Sequence, residues 1–225
     1  MAKISLGKLL LKATLHEKKG EIAEAQQLYQ KALKAFPKNK NLKQRLANLT
    51  KQNQSILNQS PSQEAINQLI NIYDQGKFTE AIEHAKIFTK KYPKVRVGWN
   101  ILGIAQNHLG KVFEASQTFK NLTKHHPDNA DGFNNLGYTT QMQGNLDEAI
   151  EAYKKALLLK PDYADVYYNM GNALKEQGNL KKAVEAYKKA LSIKPDYAVA
   201  YSNMGNALKD QGNLEKAIDA YKKAL

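Results

Sequence analysis

Residues 164–191 read ADVYYNMGNALKEQGNLKKAVEAYKKAL, and residues 198–225 read AVAYSNMGNALKDQGNLEKAIDAYKKAL. At this offset of 34 residues, 21 of the 28 aligned positions are identical. A single globular core has no reason to repeat itself in this way. A stack of like units does, because each unit buries its apolar face only against the next.

The unit reads as a helical hairpin. Tyr167, Met170, Gly171 and Leu174 fall on one face at helical spacing. Gly178-Asn179 ends that helix, since glycine accepts the left-handed conformation a C-cap requires. Leu180, Ala183, Val184, Tyr187, Ala190 and Leu191 mark the inner face of a second helix, and Pro195 ends it. Gly171, Ala183 and Ala190 are small where two helices must approach, and Tyr167 and Tyr187 fill the wider gaps. The pattern W/Y-x2-L/M-G, then Gly, then A-x3-Y/F-x2-A, then Pro resembles the tetratricopeptide repeat (TPR). The resemblance implies an all-α fold, a right-handed α-α superhelix of stacked helical hairpins.

Stepping back by 34 residues extends the array. The unit at 130–163 has Phe133, Leu136, Gly137, Gly144, Ala149, Tyr153, Ala156 and Pro161. The unit at 96–129 has Trp99, Leu102, Gly103, Gly110, Ala115, Phe119 and Pro127, with Leu122 where alanine is usual. The unit at 62–95 keeps Gly76, Phe78, Ala81, Phe88 and Pro93 but has Ala65 and Leu69 at the aromatic and glycine places. A further hairpin stands at the N-terminus, with Leu9, Ala13, Gly20, Ala25, Tyr29, Ala32 and Pro37. Residues 39–57 then read as an extra helix, with Leu42, Leu46, Leu49 and Ile56 on one stripe. Three parts are expected: a basic TPR-like hairpin plus extra helix at 1–57, a polar linker at 58–61, and an array of about five units at 62–225. Ser62 is the expected N-cap of the array. The aspartates after Pro127, Pro161 and Pro195 are expected to cap the helices that follow. The chain stops at Leu225 inside a second helix, so a longer protein, or self-association through the uncapped C-terminal end, is expected.

Composition removes several function classes. With no cysteine, disulfides and thiolate metal sites are excluded. No apolar run approaches the roughly 18 residues of a membrane span. Lys3, Lys8 and Lys12 interrupt the apolar N-terminus, so it does not read as a signal peptide, and a cytoplasmic location is the expectation. The net charge of +13 is concentrated at the start, where residues 1–60 hold 12 Lys/Arg against 3 Asp/Glu. Only Tyr29 and Phe36 are interleaved with those basic residues, so nucleic acid is not the expected partner.

No catalytic motif appears: there is no phosphate-binding glycine loop, no G-x-S-x-G and no H-E-x-x-H. His125-His126 precede Pro127 at a helix end and read as caps of its last carbonyls. No enzyme activity, cofactor or metal is expected of this chain. The paired lysines 154/155, 188/189 and 222/223 read as solvated outer faces, and Tyr153, Tyr187 and Tyr221 as core.

What remains is binding. The resemblance implies that first helices of successive units line a concave groove. Asn135, Asn169 and Asn203 would stand there once per unit, with Asn172 and Asn206 one turn on and Asn100 beside the ladder position in its own unit. An amide offers both donors and an acceptor, so such a ladder suits the main chain of an extended peptide. The segments VYYNMGNALKEQG and AYSNMGNALKDQG resemble the repeats of O-GlcNAc transferases, whose groove asparagines hold substrate main chain. A carboxylate clamp fits poorly, because its places hold Asn100, Asn134, Tyr168, Ser202, Asp131 and Asp165 instead of Lys and Arg. The expected function is a scaffold that binds an extended protein segment in the groove. The alternative is the substrate-recruiting array of a larger glycosyltransferase, sulfotransferase or oxygenase.

Overall fold

The computed structural model describes residues 6–19, 21–57 and 60–225. Gly20, residues 58 and 59 of the expected linker and the side chain of Ile56 lie outside the described residues. Among the described residues the regular structure is helical throughout. The helices are α1 (Leu6–Lys18), α2 (Ile22–Ala35), α3 (Lys40–Leu57), α4 (Gln63–Asp74), α5 (Phe78–Lys91), α6 (Arg96–His108), α7 (Val112–His125), α8 (Ala130–Met142), α9 (Leu146–Leu159), α10 (Ala164–Glu176), α11 (Leu180–Ile193), α12 (Ala198–Asp210) and α13 (Leu214–Ala224). The chain divides into two compact units, Met1–Pro61 and Ser62–Leu225.

In the first unit α1, α2 and α3 close around Ala13, Ala25, Tyr29, Ala32, Leu42 and Leu49. Arg45 of α3 donates to the Tyr29 hydroxyl at 3.0 Å and stands 3.6 Å from Glu17 of α1, tying the three helices together.

In the second unit each helix packs on its neighbours in the chain, and the hairpins stack one on the next. Gly178 shows how each first helix ends. It adopts φ +80°, and the amide of Asn179 reaches back to the Leu174 carbonyl at 2.8 Å. Only glycine reaches that conformation without cost from a Cβ. Ser62 caps α4, its hydroxyl accepting from the Ala65 amide at 3.2 Å.

The aspartates after the prolines do not cap. At 160–163 and 194–197, Pro-Asp occupies the centre of a tight turn, where proline's fixed φ is favoured. The cap position therefore falls one residue later, at Asn129, Tyr163 and Tyr197. Asn129 accepts from the Gly132 amide, and Asp128 instead pairs with Arg96 at 2.6 Å.

Two size-complementary pairings set the packing. Within a hairpin, a small residue meets an aromatic ring sixteen positions later. A Cβ on Gly103, Gly137, Gly171 or Gly205 would stand 2.5–2.6 Å from the ring of Phe119, Tyr153, Tyr187 or Tyr221. In the unit at 62–95 the sizes are exchanged: Leu69 and Ala85 take the two places, both buried in one cluster. Between hairpins, a Cβ on Gly98 would lie 2.5 Å from Phe88, and one on Gly132 3.1 Å from Leu122. The next joint reverses the sizes, with Ala156 and Val166 at these places. Phe88 thus fills the joint to the next hairpin. The unusual Leu122 is accommodated by Gly132.

Candidate functional site

The six asparagines singled out by the sequence all lie on first helices: Asn100 on α6, Asn135 on α8, Asn169 and Asn172 on α10, Asn203 and Asn206 on α12. Each is half-buried. Four of them join a hydrogen-bond lattice that runs from helix to helix. Asn169 Nδ2 donates to Asn134 Oδ1 at 3.0 Å. Asn203 Nδ2 donates to the Tyr168 hydroxyl and to Asn172 Oδ1, both at 3.0 Å. The Tyr187 hydroxyl donates to Asn172 Oδ1 at 2.7 Å, and the Tyr221 hydroxyl to Asn206 Oδ1 at 2.8 Å.

This lattice orients the amides. Asn169 and Asn203 use their NH2 groups on the preceding helix, which leaves their carbonyl oxygens to accept. Asn172 accepts from the buried Tyr187 and Asn206 from the half-buried Tyr221, which leaves their NH2 groups to donate. Each of α10 and α12 therefore offers one acceptor and one donor, three residues apart. Asn135 takes no part in this lattice. In α6 the Oδ1 of Asn100 is buried without a partner. The six are thus brought onto like faces, but only those of α10 and α12 form a matched set.

Sequence reading missed Asn134, Tyr168, Tyr187 and Tyr221 as members of the lattice. A signal for the last two was present: the aromatic carries a hydroxyl where an asparagine stands fifteen residues earlier. Phe119, without one, stands fifteen residues after Ile104.

Burial pushes the Tyr187 hydroxyl above the ordinary tyrosine range, so it remains a donor across physiological pH. The same holds for Tyr163, where the hydrogen bond to Asp131 at 2.7 Å adds to burial. Among the described residues no group of three His, Asp or Glu side chains is placed to hold a metal ion. No described helix is long and apolar enough to cross a membrane.

A large cavity lies elsewhere. It is an open cleft of about 880 Å³ between the second helices α9 and α11, with Tyr167, Met170 and Leu174 of α10 among its lining residues. Its rim mixes signs, and Lys154 there pairs with Glu151 at 2.7 Å.

Models of the TPR repeat match residues 142–178 and 171–212, and models of the tetratricopeptide repeat match 118–151 and 9–39, more than half of the chain together. This chain belongs to the tetratricopeptide repeat family. A crystal structure of MamA is similar to this TPR chain at 30% identity, covering 68% of this chain and 90% of that one with a TM-score of 0.65. MamA from Desulfovibrio magneticus RS-1 shares the TPR fold at 20% identity, with 73% and 95% covered and a TM-score of 0.68. YrrB, described as a TPR protein with an unusual peptide-binding site, shares it at 19% identity, with 73% and 84% covered and a TM-score of 0.62. No curated protein matches the chain. As a TPR solenoid the chain has the fold of a protein-interaction scaffold.

Proposed function

We propose that this TPR chain binds an extended peptide segment of a partner protein along the face lined by Asn135, Asn169, Asn172, Asn203 and Asn206. One observation carries the reading. The tyrosine–asparagine bonds and the Asn169–Asn134 bond hold the amides of α10 and α12 so that each helix presents one acceptor and one donor. A peptide main chain needs that pair, since every residue other than proline carries one N–H and one C=O. Contacts of this kind grip without reading side chains. The peptide-binding description of YrrB is compatible with such a use of the fold. The mixed-sign rim of the α9–α11 cleft has no comparable repeated set of oriented donors and acceptors.

The test is selection of a displayed random-peptide library on the whole chain, compared with Asn169→Ala/Asn203→Ala. The variant captures less across all selected peptides while its thermal melt shifts little. Equal capture by both proteins would remove the amides from the site.

A further inference from the structure

The row that carries the outward donors changes character along the stack. At 34-residue spacing it reads Ile70, Ile104, Tyr138, Asn172, Asn206 on α4, α6, α8, α10 and α12. One turn on, α8 adds Met142 where α10 and α12 have Glu176 and Asp210. Ile70, Tyr138 and Met142 are large apolar side chains left 36%, 44% and 52% exposed. The change is built into the hairpins. The buried aromatic opposite Ile104 is Phe119, which has no hydroxyl to satisfy, and the Tyr153 hydroxyl turns to Gln141 Oε1 at 2.9 Å instead of to the row. Asparagine is thus supported from beneath in α10 and α12 alone.

Charge changes in step. The neighbouring row reads Asn107 and Gln141 on α6 and α8, then Lys175 and Lys209 on α10 and α12. Across α6 and α8 these rows contain no Asp, Glu, Lys or Arg. The nearest carboxylates on these rows stand at the ends of the stretch, Asp74 on α4 and Glu176 on α10, and Gln141 Nε2 already donates to Glu176 at 2.7 Å. A charged side chain laid between them would lose hydration against Ile104 and Tyr138, whereas an apolar one gains by leaving water. Across α10 and α12 both signs are available.

We propose that the face is bipartite and that its occupant is an extended peptide with two unlike halves. An uncharged segment with bulky apolar side chains lies over Ile70, Ile104, Tyr138 and Met142. A polar segment follows, its main chain held by Asn169, Asn172, Asn203 and Asn206. The proposal rests on the peptide-binding reading above and adds sequence preference to it.

The probe is the same displayed random-peptide library, selected on the whole chain and on Tyr138→Ser/Met142→Ser, whose side chains are exposed enough to be removed without unfolding the stack. Peptides selected by the natural chain share bulky apolar residues on one side of a polar segment. The double variant captures them about tenfold less or worse, loses the apolar preference in its own selection, and keeps its circular-dichroism melt. Selected peptides without an apolar preference, whose capture still depends on Asn169 and Asn203, overturn the bipartite face and leave main-chain binding standing. Capture insensitive to both pairs of substitutions overturns both.

Discussion

The Tyr187 hydroxyl donates a 2.7 Å hydrogen bond to Asn172 Oδ1, and the same relationship recurs one repeat later between Tyr221 and Asn206 at 2.8 Å. It joins the core to the candidate binding face. A buried hydroxyl needs a partner, and here the partner is a residue of that candidate face, whose NH2 is thereby left to donate. Two repeats earlier the pair is Phe119 and Ile104, which satisfies the same rule by having neither group. Tyr187→Phe is expected to destabilise the chain by about 1 kcal/mol. In an Asn172→Ile background the same change costs less, giving a coupling of about 0.5 kcal/mol or more in a double-mutant cycle by denaturant titration. Strict additivity would mean that the bond has no energetic consequence.

Gly171 tests the close approach within a hairpin. A Cβ there lies 2.6 Å from the Tyr187 ring, which is fully buried and has no room to retreat. Gly171→Ala is expected to cost about 1–3 kcal/mol through overpacking, read as a lowered urea midpoint. A change within a few tenths of a kcal/mol would show that the hairpin opens freely at this point.

Leu69 and Ala85 offer the complementary test. They occupy the places of glycine and aromatic with the sizes exchanged. Ala85→Phe alone overfills the site, and Leu69→Gly alone leaves a cavity and costs about 2–5 kcal/mol. The double exchange restores the pairing of the later repeats and melts above both single variants. A double variant no better than the worse single one would refute size complementarity within this hairpin.

A pH effect follows from α7. Burial holds the imidazoles of His125 and His126 below the usual histidine range, with Lys124 adding to the effect on His125 and Arg96 to that on His126. His125 also stacks on Trp99 at 5.6 Å. Because the folded values are lowered, the unfolded chain binds these protons more readily. Their contribution is fully present above the unfolded value of about 6.5 and is lost as pH falls below it. The melting temperature of the natural chain is expected to fall more steeply between about pH 7.5 and 5.5 than that of His125→Gln/His126→Gln. Parallel profiles would assign the acid sensitivity to other groups.

Much of the fold was legible because it is written in short-range terms. The 34-residue period, the glycines that take a left-handed turn and the prolines that end second helices each act through one residue's own backbone. The cap positions were misread by one residue, because the Pro-Asp turn consumes the aspartate before the helix begins. The role of Phe88 was not legible, because its partner Gly98 lies across a joint and no helical period points to it.

The sequence by itself determined that this chain is a stack of TPR hairpins and which helices carry the asparagines. Both are matters of period and local conformation. Only the tertiary structure decided what those asparagines offer. The orientation of each amide depends on partners 15, 31 and 35 residues away, brought together by the stacking of helices. Donor and acceptor exchange places when an amide turns over, and nothing local to an asparagine chooses between the two. The packed neighbours choose, by requiring that their own buried hydroxyls be satisfied.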